Sequence, residues 1–182
     1  MVNTIRSTPP DASEHAPYYG RYTSLVANGD IVDTLERQCP ETIALLSPLS
    51  DEQANYRYAP AKWSIKEMLG HVVDTERIFA YRALRIARND QTPIEGFEQD
   101  DYVRGANFSE CRFKDMLEEF TCVRRASVLL FQQLSTEAWL RHGTASQMGV
   151  SVRALAYIIA GHEIYHRNAL KEKYLSDATA HA

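Results

Sequence analysis

The chain has 182 residues, of which 45% are hydrophobic and 24% charged, and its formal net charge is -4. This length predicts one globular domain, and the acidic balance argues against a dedicated nucleic-acid-binding protein, which is usually basic. Three scattered cysteines without a C-x-x-C pair favour a reduced, cytoplasmic protein over a disulfide framework. We expect neither a signal peptide nor a membrane partner, because no stretch approaches about 18 apolar residues.

The chain divides into three parts by composition. Residues 1–22 contain three prolines and few aliphatic side chains, which predicts a flexible N-terminal arm. Residues 176–182 are small and polar, and we expect them to form a frayed C-terminal tail. Between them, residues 23–175 show the apolar periodicity of a helical domain.

Four long amphipathic segments dominate this central part. The first opens at Asp30, a good N-cap, and contains Pro40, which we expect to kink or split it. The second opens with a capping box formed by Ser64 and Glu67. Strand signals are weak, so the fold class is all-α, a four-helix bundle. The predicted helices span 30–46, 64–88, 109–134 and 151–174.

Two connections in the bundle are long. Residues 89–107 hold Pro93, Gly96 and Gly105 and predict a long loop between helices 2 and 3, a length that is often functional. Residues 136–149 predict an irregular connection with one short turn around Trp139.

Three of the six histidines fall on core-facing positions. His162 and His166 are one turn apart in the apolar stripe of the fourth helix, and His71 shares the apolar face of the second helix. One histidine on such a face is usually a satisfied core residue, but a buried pair must find hydrogen bonds for both rings. Since neutral imidazole is a ligand of zinc, nickel and iron, the three rings predict an open metal site in the bundle interior.

The segment from His162 to His166 also reads H-E-x-x-H, a pattern typical of zinc proteases in which the glutamate is the base. The extended form of that motif is absent after His166, and no strand is predicted to align a peptide, so a protease is a remote alternative. A di-iron carboxylate bundle needs a second Glu-x-x-His motif, and we find only the one at Glu163 and His166.

Three sequence blocks resemble the DinB family. They are Trp63–Arg77, continued by Tyr81–Arg85, then Gly96–Val103, and finally Val150–Leu155 leading to Gly161–His166. The blocks occur in the family's order, and the resemblance extends from about residue 25 to 175.

The resemblance implies a four-helix bundle that holds a divalent metal on three histidines, here His71, His162 and His166. Characterised relatives include metal-dependent transferases of low-molecular-weight thiols, a thiol-dependent isomerase and the thiol-oxidising enzymes of ergothioneine synthesis. It therefore implies a metal-dependent transferase or hydrolase for a small molecule, a low-molecular-weight thiol as cosubstrate, and a homodimer. The alternative is a non-catalytic, metal-stabilised bundle or a binding or stress-response protein.

Other candidate residues surround the predicted site. Glu163 is the nearest base in the sequence, although its side chain points about 100° away from His162. Asp74 lies one turn after His71 and would orient that imidazole, or else pair with Arg77. By resemblance, the long loop covers the metal and contributes Phe97, Asp100, Tyr102 and Asn107 to a substrate pocket. Arginines follow at three-residue steps on the second helix and predict a solvated stripe, namely Arg82, Arg85 and Arg88.

Overall fold

The computed structural model describes residues 4–175, and its long helices form a four-helix bundle, as predicted. The four long helices are α2, α4, α6 and α8. In chain order the helices are α1 (Gly20–Thr23), α2 (Ile31–Leu46), α3 (Asp51–Ala54), α4 (Ile65–Ala87), α5 (Gln99–Gly105), α6 (Phe113–Gln132), α7 (Thr136–Trp139) and α8 (Val152–Leu170), and the strands are β1 (His142–Ala145) and β2 (Met148–Ser151). Within residues 4–175, no helix is both long and apolar enough to cross a membrane.

The capping residues set the helix starts that the sequence predicts. The Asp30 carboxylate accepts from the backbone N–H of Val32 at 2.8 Å and begins α2. Ser64 and Glu67 form the predicted capping box at the start of α4, and Ser151 caps α8. Pro40 lies inside α2 without splitting it, because α2 runs as one helix of 16 residues.

The two connections are more regular than predicted. The segment before α8 is a β-hairpin, in which β1 and β2 pair antiparallel around Ser146 and Gln147. Both turn residues have positive φ angles, 51° and 63°, which two-residue hairpins favour but which the sequence does not signal with asparagine or glycine. The predicted loop 89–107 contains α5, and Ile94 bridges to β1. The third long helix begins at Phe113 rather than Ser109, since residues 108–110 form a separate 3-10 turn.

The N-terminal segment packs on the bundle, which differs from the flexible arm expected there. Glu14 is buried, pairs with Arg153 and accepts a hydrogen bond from the Ser151 hydroxyl at 2.6 Å. Tyr22 of α1 is buried against α8. The predicted tail, 176–182, lies outside the described residues.

A layer of polar side chains separates two apolar clusters inside the bundle. Along α4, Met68 and Val72 belong to one cluster and Phe79 and Ala83 to the other, with buried Glu76 between them. The same layer crosses α6 at Arg124, which is 1% exposed.

Arg124 connects all four long helices. Its Nη2 and Nε donate to the Glu76 carboxylate of α4 at 2.9 Å, and its Nη1 donates to Glu163 Oε2 of α8 at 2.6 Å. Nη1 also donates to the Leu35 carbonyl of α2 at 3.0 Å. Thr42 of α2 donates to the other Glu163 oxygen at 2.5 Å, so that each carboxylate in the layer is satisfied.

We predict that Arg124→Met lowers the free energy of unfolding by about 3–5 kcal/mol, because Glu76 and Glu163 then remain buried without a counter-ion. Urea denaturation measures this change. Arg125→Met is the matched control, since its pair with Glu36 is exposed and should contribute about 0.5 kcal/mol or less. Equal effects of the two substitutions would contradict the role given to Arg124.

Candidate metal centre

Three imidazole rings converge in the polar layer, at the positions that the sequence predicts. His71 Nε2 lies 3.0 Å from His162 Nε2, and His166 Nε2 lies 3.1 Å from the same atom. All three side chains are buried, and one nitrogen from each forms a set within 4.8 Å. Two rings come from successive turns of α8 and one from α4, so helix packing alone brings them together.

Glycines precede two of the histidines and allow other segments to approach closely. A Cβ atom on Gly161 would lie 2.0 Å from the backbone oxygen of Tyr22, so α1 packs against α8 only because residue 161 has no side chain. The Tyr22 ring then lies edge-on to His162, with 5.2 Å between the centroids. A Cβ on Gly70 would lie 2.3 Å from the Phe108 ring. The absence of a side chain at residue 70 therefore lets the 3-10 turn pack against α4.

Burial keeps all three imidazoles neutral. Desolvation lowers the pKa of His71 from 6.5 to about 4, partly opposed by the negative charge of Asp100. Desolvation and the neighbouring His71 lower the pKa of His166 to about 3, and the pKa of His162 falls well below its usual value for the same reasons. Neutral imidazole has a free lone pair, which is the form that binds a metal.

The nitrogen geometry fits a divalent cation better than a hydrogen-bonded trio. In the plane of its ring, His162 Nε2 carries either one proton or one lone pair. The Nε2 atoms of both His71 and His166 lie within hydrogen-bond distance of it. One proton cannot serve both neighbours, whereas one cation can accept three lone pairs. Binding through Nε2 leaves the protons on Nδ1, where Thr75 Oγ1 lies 3.4 Å from His71. His166 Nδ1 is buried without a partner among residues 4–175.

A cavity of about 290 Å³ opens beside His71 and His162. Its walls come from the N-terminal segment, from α4, from the residues around the start of α5 and from His162 of α8. The lining residues are Tyr18, Tyr19, Tyr22, His71, Thr75, Phe79, Phe97, Glu98, Gln99, Asp100 and His162.

The family model of the DinB superfamily matches residues 34–170, which include the whole candidate metal centre. The chain belongs to the DinB superfamily. Among solved structures, YfiT from Bacillus subtilis, described as a probable metal-dependent hydrolase with an unusual four-helix bundle topology, is similar with a TM-score of 0.74. The two chains are 12% identical, and the match covers 84% of this chain and 87% of YfiT. No curated protein matches the chain significantly by sequence.

Of the four pocket residues that the DinB resemblance implies, two line the cavity and two, Tyr102 and Asn107, are not among its lining residues. Phe97 and Asp100 line it. Tyr102 packs on Phe97 with 5.2 Å between ring centroids and is 48% exposed. Asn107 has a left-handed backbone conformation and precedes the 3-10 turn of Phe108.

The two carboxylates proposed from the sequence have other partners. Both Glu163 oxygens accept hydrogen bonds, from Thr42 and Arg124, so Glu163 supports α8 instead of facing the cavity as a base would. In this position Glu163 is not available as the catalytic base that an H-E-x-x-H protease needs. Asp74 Oδ1 lies 3.8 Å from Arg77 Nη1, which is the alternative pairing that the sequence allows. Thr75, rather than Asp74, lies beside His71 Nδ1.

Four aromatic residues that are not predicted from the sequence also lie at the site. Tyr18, Tyr19 and Tyr22 come from the segment expected to be a flexible arm. The Trp63 ring also lies beside the histidines, with 4.7 Å between its centroid and that of His71. The signal that could have found the tyrosines is their clustering in a segment that is otherwise poor in apolar residues.

We predict that the protein stripped of metal by a chelator loses stability as the pH falls from 6.5 towards 4. Between these values the unfolded chain protonates its histidines, while His71 and His166 in the folded state resist protonation, so protons favour unfolding. The free energy of unfolding from urea titrations should be at least about 1 kcal/mol lower at pH 5 than at pH 7.

The control for this pH dependence is His142→Gln, because His142 is exposed and its substitution should leave the dependence unchanged. His71→Gln should weaken it, because one of the three imidazoles that resist protonation is removed. A stripped protein with equal stability at pH 7 and pH 5 would contradict the neutral, buried state of the three rings.

Proposed function

We propose that this DinB-superfamily protein is a metal-dependent enzyme that uses water or a low-molecular-weight thiol to attack a small molecule, as a hydrolase or a thiol transferase. The observation that carries the proposal is the convergence of three neutral, buried Nε2 atoms beside a cavity. His71, His162 and His166 would hold a divalent zinc, nickel or iron ion, which are metals that imidazole ligands suit. When bound, the ion would supply a lowered pKa for a coordinated nucleophile and polarise the group under attack.

The size of the cavity supports a small substrate. A volume of about 290 Å³ lies at the lower end of ligand pockets, which span roughly 300–1,000 Å³. Aromatic rings of Tyr19, Phe79 and Phe97 provide apolar walls, which would exclude water around the bound molecule.

Polar groups in the cavity suit proton transfer and substrate orientation. We assign the proton-acceptor role to Asp100, whose side chain lines the cavity near His71, in place of Glu163. Burial raises the pKa of Tyr22, so its hydroxyl keeps its proton and is a hydrogen-bond donor to substrate oxygen. Tyr18 positions that hydroxyl, with 3.4 Å between the two oxygens.

Support for this function also comes from YfiT, which shares the fold and is described as a probable metal-dependent hydrolase. The DinB resemblance adds the thiol as an alternative nucleophile and a homodimer, and the three scattered cysteines add a cytoplasmic location; we include all three in the proposal. The competing function is a metal-stabilised bundle without catalysis. Such a protein would bind the same metal but would turn over no substrate.

The test loads the purified protein with zinc, nickel, manganese or iron and measures bound metal, hydrolysis of small esters and amides, and conjugation of thiols to electrophiles. We expect one metal per chain and turnover in one of the two assays. His71→Ala should lose metal and at least roughly 100-fold of the activity, while His142→Ala changes neither. Failure of the wild-type protein to bind any of these metals would overturn the proposal, and metal binding without turnover would favour the structural alternative.

A matched pair of variants tests Asp100 separately. Asp100→Asn should lower kcat and leave the metal content unchanged, because it removes a proton acceptor and no ligand. Asp101→Asn is the control, since Asp101 pairs with Arg104 on the exposed face of α5. Equal kcat values for the two variants would assign the proton transfer to another group.

A further inference from the structure

Arg82 is a buried cation with only neutral partners. The sequence predicts it as part of a solvated arginine stripe, but its side chain is only 2% exposed, so the prediction is wrong at this position. Its Nη2 donates to the Glu95 carbonyl at 2.9 Å and to the Ser146 hydroxyl at 3.0 Å. Arg85, one turn later, follows the predicted pattern and pairs with Asp90 at the surface.

The other two buried arginines in residues 4–175 are neutralised. Arg124 pairs with Glu76 and Glu163, and Arg153 pairs with Glu14. Arg82 instead stacks behind the rings of Phe79 and Phe97, with its Cζ atom 5.2 and 5.9 Å from their centroids. Cation–π contacts offset only part of the desolvation of a buried charge.

A small cavity adjoins this guanidinium. Its volume is about 10 Å³, which is roughly the least that holds one water-sized particle. Arg82 lines it, together with Tyr19 and residues of the hairpin. The remaining lining residues are Ala16, Ala145, Met148, Gly149, Val150 and Leu155.

One group at this position would satisfy two requirements of Arg82. Its Nε–H is buried and has no acceptor within hydrogen-bond distance among the described residues, while the nearby Tyr19 hydroxyl interacts with the same guanidinium, so Nε still needs a hydrogen-bond partner. Its charge has no carboxylate, so it also needs a counter-ion. A water molecule would meet the first requirement alone, whereas a monatomic anion meets both.

We propose that this cavity is a binding site for one halide-sized anion, with chloride as the ligand in solution and Arg82 as its anchor. The site is separate from the proposed metal centre, and its test does not depend on the proposed activity.

The anion would join three segments, two of which also wall the larger cavity. Arg82 holds Glu95 before α5 and Ser146 in the hairpin turn, and Tyr19 from the N-terminal segment lines both cavities. Phe79 and Phe97, whose rings lie beside the Arg82 guanidinium, line the larger cavity. Anion binding should therefore stabilise the walls of the candidate active site as well as the fold.

The experiment measures the melting temperature of the wild-type protein in sodium chloride and in sodium gluconate at equal ionic strength. Chloride should raise the melting temperature logarithmically, by about 3–5 °C for each tenfold increase above the dissociation constant, and gluconate should not. Arg82→Met should abolish the difference between the salts. Arg85→Met, on the same helix but half-buried and paired with Asp90, should preserve it.

A crystal grown in sodium bromide gives a second, direct measurement that does not require the Arg82 variant to fold. The proposal predicts an anomalous bromide peak beside the Arg82 guanidinium. A water molecule there without anomalous signal, or a chloride effect of the same size in Arg82→Met, would overturn it.

Discussion

The buried ion cluster around Arg124 connects the four long helices of the bundle. One guanidinium contacts α2, α4 and α8 from its position on α6, and it is fully enclosed by them. A buried ion pair is seldom a large net source of stability, because desolvation offsets the attraction between the charges. Its geometric requirement is strict, however, since any shift of a helix would leave a charge without its partner. The cluster therefore specifies how the four helices are aligned, while the apolar clusters on either side provide most of the stabilisation.

This alignment places the histidines. Glu163 lies between His162 and His166 in the sequence, and its hydrogen bonds to Arg124 and Thr42 orient α8 so that both rings face His71. Glu76 does the same for α4, five residues after His71. The charged side chains and the three histidines thus form one polar layer, in which the carboxylates hold the helices and the rings of His71 and His162 face the cavity. This division of roles explains why a glutamate inside an H-E-x-x-H pattern has no contact with the cavity.

Local sequence signals were sufficient to predict the bundle and the three histidines. Asp30, Ser64 and Ser151 cap helices through contacts within three residues, and His162 and His166 share a face by spacing alone. Features that depend on distant parts of the chain could not be predicted in this way. The Arg124 pairs span 48 and 39 residues, and charged residues on a helix ordinarily indicate a solvated surface. The N-terminal tyrosines reach the cavity only because Gly161 admits the backbone of α1, which no periodicity in either segment reveals.

Helix alignment brings one imidazole nitrogen from each of His71, His162 and His166 to one point, where we propose a single metal ion. X-ray absorption spectroscopy at the zinc K-edge of the zinc-loaded protein tests this arrangement, because the outer-shell scattering counts histidine rings. We expect three imidazole ligands, with nitrogen atoms about 2.0–2.1 Å from the zinc, and the same three in the Asp100→Asn variant. A first shell with fewer than three imidazoles, or one completed by a sulfur ligand of the protein, would contradict it.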